Sequence, residues 1–144
     1  MTELKKNKYQ NDSSHRFNNL RAAHQSELAE DYVEMISDLI VETGEARAVD
    51  LASRFGVTSP TVNATIQRLQ KEGLVESKPY RSIFLTETGV KLAEASRKKH
   101  QVVRDFLIAI GVNDDVAEQD AEGVEHHVSE QTLSKFKEFL KIKS

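Results

Sequence analysis

The stretch Gly56-Val57-Thr58-Ser59-Pro60 constrains what this chain can fold into more than any other. Before it, residues 46–55 set Val49, Leu51 or Ala52, and Phe55 at the spacing of a short amphipathic helix, which the glycine stops. After it, a hydroxyl residue followed by proline starts a second helix. That helix buries Val62, Ile66 and Leu69 and ends at Lys71. Two short helices about a glycine-centred turn, with the small Ala52 where they cross, predict a helix-turn-helix, although helical hairpins without a nucleic-acid role share the spacing. Residues 74–76 and 83–85 are strand-like runs around the basic tip 77–82, which adds a two-stranded wing. The combination predicts a winged helix. Its exposed face would offer Ser59, Thr61, Asn63, Ala64, Gln67, Arg68 and Lys71, and its tip Lys78, Tyr80 and Arg81, side chains suited to base edges and phosphates. Each residue taken alone reads equally well as solvated surface.

Charge is partitioned along the chain although the net value is only −3. Residues 27–45 carry seven acids and residues 105–130 carry eight, with no Lys or Arg in either, whereas residues 46–104 hold eleven basic groups against five acids. The alternation predicts an anion-binding middle between two cation-binding segments, with solvated acidic helix faces as the plain alternative. Zero cysteines exclude disulfides, zinc-thiolate sites and thiol catalysis, so any metal must be held by oxygen and imidazole. No GxGxxG or phosphate loop is present, which argues against a nucleotide enzyme. The longest apolar run, residues 106–112, is far short of the roughly 20 residues of a transmembrane helix, and no apolar block follows Lys5, Lys6 and Lys8 as in a signal peptide. The expected location is cytoplasmic.

Residues 1–26, rich in Asn, Ser and Lys, read as a disordered basic arm. A helix begins near Leu28 with Tyr32, Met35, Ile36, Leu39 and Ile40 on one stripe and stops at Gly44. A long helix over residues 88–110 leads to one or two short helices between Asp114 and His127, and Ser129 caps a last one carrying Leu133, Phe136, Phe139 and Leu140, residues suited to core or to a dimer. The expected architecture is mostly α with a small β wing. It divides into an arm (1–26), a winged helix-turn-helix DNA-binding domain (27–96) and a helical metal-binding and dimerisation domain (97–144).

Asp31 and Glu34 stand at i and i+3, and Glu122, Glu125 and His126 at i, i+3 and i+4, each set on one helix face. Several oxygens, one nitrogen and no sulfur are what a hard or borderline divalent cation requires. His127 points about 100° away from His126 and reads as outside the ligand set. His100 adds a second nitrogen if the long helix packs beside both clusters.

The segments Glu30-Asp31-Tyr32-Val33-Glu34, Ala52 to Leu69, Arg97 to Phe106 and Glu122-Gly123-Val124-Glu125-His126-His127 together resemble the diphtheria toxin repressor family, and within it the manganese-dependent branch. The resemblance spans residues 28–142 in one collinear run. It implies a homodimeric winged-helix repressor that binds palindromic operators of metal-uptake genes with Mn(II) as corepressor. It further implies two ions per subunit held by Asp31, Glu34, His100, Glu122, Glu125 and His126, with Glu34 and Glu125 bridging. Iron-responsive relatives carry sulfur-bearing residues at the positions of Asp31 and Glu122; the oxygen donors here favour manganese, with Fe(II) as the alternative cation. Those relatives also commonly add an SH3-like domain, for which this chain leaves no room. The long polar arm departs from the compact relatives. Two other readings stand beside this one: a winged-helix repressor answering to iron or to a non-metal effector, and a dinuclear metallohydrolase. Against the latter, no separate general acid, general base or substrate pocket is evident, and a winged helix would be idle.

Overall fold

The computed structural model describes the backbone of residues 3–78 and 81–143 and the side chains of residues 13–78 and 81–141. In chain order it contains α1 (Glu3–Thr43), α2 (Ala48–Phe55), α3 (Ser59–Lys71), β1 (Val75–Glu76), β2 (Phe84–Leu85), α4 (Glu87–Ala109), α5 (Asp114–Val124), a single 3-10 turn (Glu125–His127) and α6 (Glu130–Lys143). The helix boundaries follow from local chemistry. Gly56 closes α2 in the left-handed region at φ 66°, and the Thr58 hydroxyl accepts the Thr61 amide to cap α3 ahead of Pro60. Strands β1 and β2 pair antiparallel with Val75 opposite Leu85, and one further bridge joins Ala46 to Ile83.

Two apolar clusters organise the chain. The first gathers Tyr32, Val33, Ile36 and Leu39 of α1, Leu51 and Ala52 of α2, Val62, Ile66 and Leu69 of α3, the wing residues Val75 and Ile83, and Ala93 of α4. The second gathers Val103, Ala121 and Leu133 with half-buried Leu107 and Phe136. Helix α4 supplies Ala93 to one and Val103 to the other, so it is the shared beam between the two halves. Phe106 stacks on Phe136 with ring centroids 3.9 Å apart and meets Phe139 edge-on at 5.4 Å, so these rings are engaged within the chain.

Two expectations are corrected. Val49 is 63% exposed, because α2 turns the Leu51–Ala52 side to the core instead. The segment expected as a disordered arm is helical from Glu3 onward. It contains neither Gly nor Pro, and a helix nucleated on the buried turns around Ala29 to Ile36 extends at little cost per residue. Composition was sounder on burial, since residues 14–22 are exposed.

Gly89 carries a constraint invisible in the sequence. Its amide is capped by the Thr86 hydroxyl, and a Cβ there would run into the Leu74 carbonyl, which itself accepts the Thr86 amide at 3.0 Å. Alanine would gain about 1 kcal/mol of helix propensity, but overpacking against rigid backbone costs about 3 kcal/mol. Gly89→Ala is therefore expected to lower the melting temperature by several degrees; an unchanged or higher value in thermal denaturation would contradict the packing described.

Candidate metal centre

Four elements converge at the junction of the two clusters. Helix α1 brings Glu27, Glu30, Asp31 and Glu34, α4 brings Ser96, Lys99 and His100, α5 brings Glu118 and Glu122, and the 3-10 turn brings Glu125, His126 and His127. The i, i+3 spacings place each set on one face, but it is the crossing of α1 over α4 and the turn that makes the sets meet. His126 Nε2 lies 3.0 Å from Asp31 Oδ1 and 3.4 Å from Glu125 Oε1. His100 Nδ1 lies 2.9 Å from Glu125 Oε2 and 3.8 Å from Glu122 Oε1. Glu34 accepts the Ser96 hydroxyl and lies within electrostatic reach of Asp31, Glu122, Glu125 and His100. All six residues singled out from the sequence are thus brought to one place.

The electrostatics are those of a site short of positive charge. Burial raises Glu34 above the usual carboxylate range; the Ser96 bond opposes this and Glu122 and Asp31 reinforce it. Burial likewise pushes Glu125 up to about 7, against the opposing pull of His100. Burial would lower His126, but the Asp31 and Glu30 carboxylates outweigh it and push the imidazole up to about 10. His100 is raised in the same way, its burial overcome first by Glu118 and then by Glu125 and Glu122.

Both Glu125 oxygens and His126 Nε2 are buried without a hydrogen-bond partner, and each of the two side chains is 1% exposed. A carboxylate sequestered with only two imidazole nitrogens beside it, at 2.9 and 3.4 Å, and no well-formed hydrogen bond is costly unless a further cation meets it. The donor set fits a hard or borderline divalent ion: carboxylates, two imidazoles and no sulfur. Ligand atoms of His100, Glu122 and Glu125, and separately those of Glu27, Asp31 and His126, lie within 4.8 Å of one another.

Sequence reasoning missed Glu30, Lys99, Glu118 and Arg104. The acidic segments contain no Lys or Arg, yet α4 delivers both: Lys99 Nζ meets Glu30 Oε2 at 3.0 Å and Arg104 Nε meets Glu118 Oε2 at 3.2 Å. Glu30 was legible only as a neighbour of Asp31, and nothing local distinguishes Glu118 from a solvated acid. His127 stands apart and exposed, 3.7 Å from Glu27.

Ser59, Thr61, Asn63, Ala64, Gln67 and Lys71 of α3 are exposed, as are Lys78 and Arg81 of the wing. Arg68 differs. It is half-buried, donating to the Gln25 carbonyl of α1 at 3.3 Å and lying 3.5 Å from Glu72. Tyr80 lies outside the described residues.

Residues 24–83 match the iron dependent repressor N-terminal DNA binding domain, and residues 86–142 match the iron dependent repressor metal binding and dimerisation domain. The chain belongs to the diphtheria toxin repressor, or iron-dependent repressor, family. Within this family it is 54% identical over 123 residues to the transcriptional regulator MntR of Escherichia coli, covering 85% of this chain and 79% of that one. It is 52% identical over 123 residues to MntR of Salmonella typhimurium, covering 85% and 78%. A solved family structure described as a manganese-dependent transcriptional repressor in complex with manganese superposes with a TM-score of 0.70 at 28% identity, over 78% of this chain and 52% of that one. The chain spans about half the length of that structure and of the solved manganese regulator SloR. Among the described residues no helix is long and apolar enough to cross a membrane.

Proposed function

We propose that this protein is a cytoplasmic, manganese-responsive transcriptional repressor that binds double-stranded operator DNA as a homodimer, not an enzyme. The observation that carries the reading is the buried Glu125, held between two imidazoles without a well-formed hydrogen bond, at the seam joining the DNA-binding unit to the helical unit. Asp31, Glu34, His100, Glu122, Glu125 and His126 would hold the cation, two ions per subunit balancing the charge of the four carboxylates. The donors belong to α1 on one side and to α4, α5 and the 3-10 turn on the other.

A bound divalent ion supplies the positive charge that lets these carboxylates stay together. Without it, each like-charged pair about 4 Å apart repels by roughly 4 kcal/mol at an effective dielectric of 20. The α1 carboxylates and those of α5 and the turn then favour separation, and the two units hold each other less firmly. In a dimer this loosens the spacing of the two α3 helices, which must stand about 34 Å apart to enter successive major grooves. The restraint between the halves is thus what couples cation to operator. We assign the second copy to the groove lined by Asp105, Ile108, Ala109, Leu140 and Lys141, next to exposed Ile110.

The α3 face and wing are assigned to DNA: Ser59, Thr61, Asn63, Ala64, Gln67, Arg68 and Lys71 in the groove, with Lys78, Tyr80 and Arg81 at the backbone. Lys71→Ala is expected to weaken all sequences alike and lower the salt slope by about one, whereas Gln67→Ala costs about 1–3 kcal/mol on the operator alone. Arg68, already engaged with Gln25 and Glu72, should contribute less than its charge suggests. The direct test is a gel shift with the operator at neutral pH, with manganese and after exhaustive chelation. Binding that survives chelation would overturn the corepressor role. Hydrolysis of generic phosphoester substrates with manganese would favour the metallohydrolase.

A further inference from the structure

Each histidine of the metal centre has one ring nitrogen turned into the cluster and the other turned out to a carboxylate, and each of those outer carboxylates meets a basic side chain of α4. For His126, Nε2 faces Asp31 and Glu125, while Nδ1 is 3.0 Å from Glu30 Oε2, and Glu30 is 3.0 Å from Lys99 Nζ. For His100, Nδ1 faces Glu125 and Glu122, while Nε2 is 2.8 Å from Glu118 Oε1, and the other Glu118 oxygen is 3.2 Å from Arg104 Nε. The two chains of contacts are alike in order and opposite in ring orientation.

We infer that Glu30 with Lys99, and Glu118 with Arg104, are positioning pairs that fix opposite tautomers at the two histidines, leaving Nε2 of His126 and Nδ1 of His100 as the nitrogens offered to the cation. The inference rests on the metal reading above and deepens it. An imidazole that ligates through one nitrogen carries its proton on the other, and a carboxylate acceptor there holds the ring in plane and makes the free nitrogen more basic. The basic partners have a separate task. Two more carboxylates would add charge to a site that already holds four, and Lys99 and Arg104 offset it, so Glu30 and Glu118 orient the rings without becoming surplus ligands. Glu30 is suited to this because it is 8% exposed and held by Lys99, the Ser96 hydroxyl and His126. Glu118 is half exposed at the rim, so its pair tunes the site without supporting the core.

The experiment uses the full chain, as wild type and as E30A, E30Q, E118A and E118Q. Manganese alone is titrated by calorimetry. Zinc alone serves as a diamagnetic probe for two-bond proton–nitrogen correlation spectra of the imidazoles. The expected spectra show His126 protonated at Nδ1 and His100 at Nε2. Both alanine variants should lose about 10- to 100-fold in manganese affinity, and the glutamine variants, which keep an acceptor, less. Melting of metal-free E118A should match wild type. The reverse tautomer at either histidine, or alanine variants that bind manganese as wild type does, would overturn the inference. If E30A does not fold, E30Q and the rim variants decide by the same readouts. Wild-type protein that binds neither metal would instead sink the metal reading itself.

Discussion

Glu125→Gln is expected to abolish manganese-dependent operator binding and, in the same stroke, to stabilise the metal-free protein at alkaline pH. Glu125 is buried, its two oxygens make no well-formed hydrogen bond, and it alone sits between both histidines. The raised acidity constant states the cost. An acid whose folded-state value lies at about 7, above its unfolded value of 4.5, binds its proton more tightly in the fold. Its penalty is absent below pH 4.5, grows as pH rises toward 7 and is complete above it, on the order of 3 kcal/mol. Glutamine keeps the shape and removes the charge. Thermal melts of chelated protein should therefore show E125Q above wild type at pH 8, with the gap closing as pH falls toward 4.5. Retained manganese response, or E125Q melting lower at pH 8, would refute the account of a carboxylate held for a cation.

Manganese binding should release more than one proton per subunit at pH 7, and apparent affinity should rise more than tenfold between pH 6.5 and 7.5. An unperturbed imidazole, titrating near 6.5, would make the response fade only near pH 5.5. The structure moves that window upward. His126, held at about 10 by Asp31 and Glu30, is protonated throughout the neutral range and must give up its proton to ligate; His100 is raised as well, and Glu125 is half protonated near 7. Metal and protons therefore compete above pH 6. Calorimetry in buffers of different ionisation enthalpy counts the protons released. A count near zero, with affinity flat across this range, would exclude imidazole ligation.

The centre was half legible. Asp31 and Glu34, and Glu122, Glu125 and His126, declare themselves because one helical turn sets their spacing, so both groups could be read from a few residues each. His100 has no such local partner and could be joined to them only on the condition that the long helix packs beside both clusters, or through resemblance. Glu30 stood out only as a neighbour of Asp31, and Lys99, Glu118 and Arg104 not at all: they act across α1, α4 and α5, and a carboxylate that orients a histidine has the same sequence signature as one facing water. Arg68 shows the converse, a basic residue on the expected DNA face that α1 engages through the Gln25 carbonyl.

What the sequence determined by itself is everything that depends on a few consecutive residues: the stop at Gly56, the start at Thr58 to Pro60, the wing, and the donor chemistry of a chain without cysteine. Helix nucleation, capping and period are local interactions, and they survive being read one segment at a time. Only the tertiary structure decided that Val49 faces out while Leu51 and Ala52 face in, that Gly89 must make room for the Leu74 carbonyl, and which nitrogen of each histidine faces the cluster. These depend on how helices cross, and a crossing is set by the sum of many weak apolar contacts distributed over the chain, no one of which leaves a mark in the residues beside it.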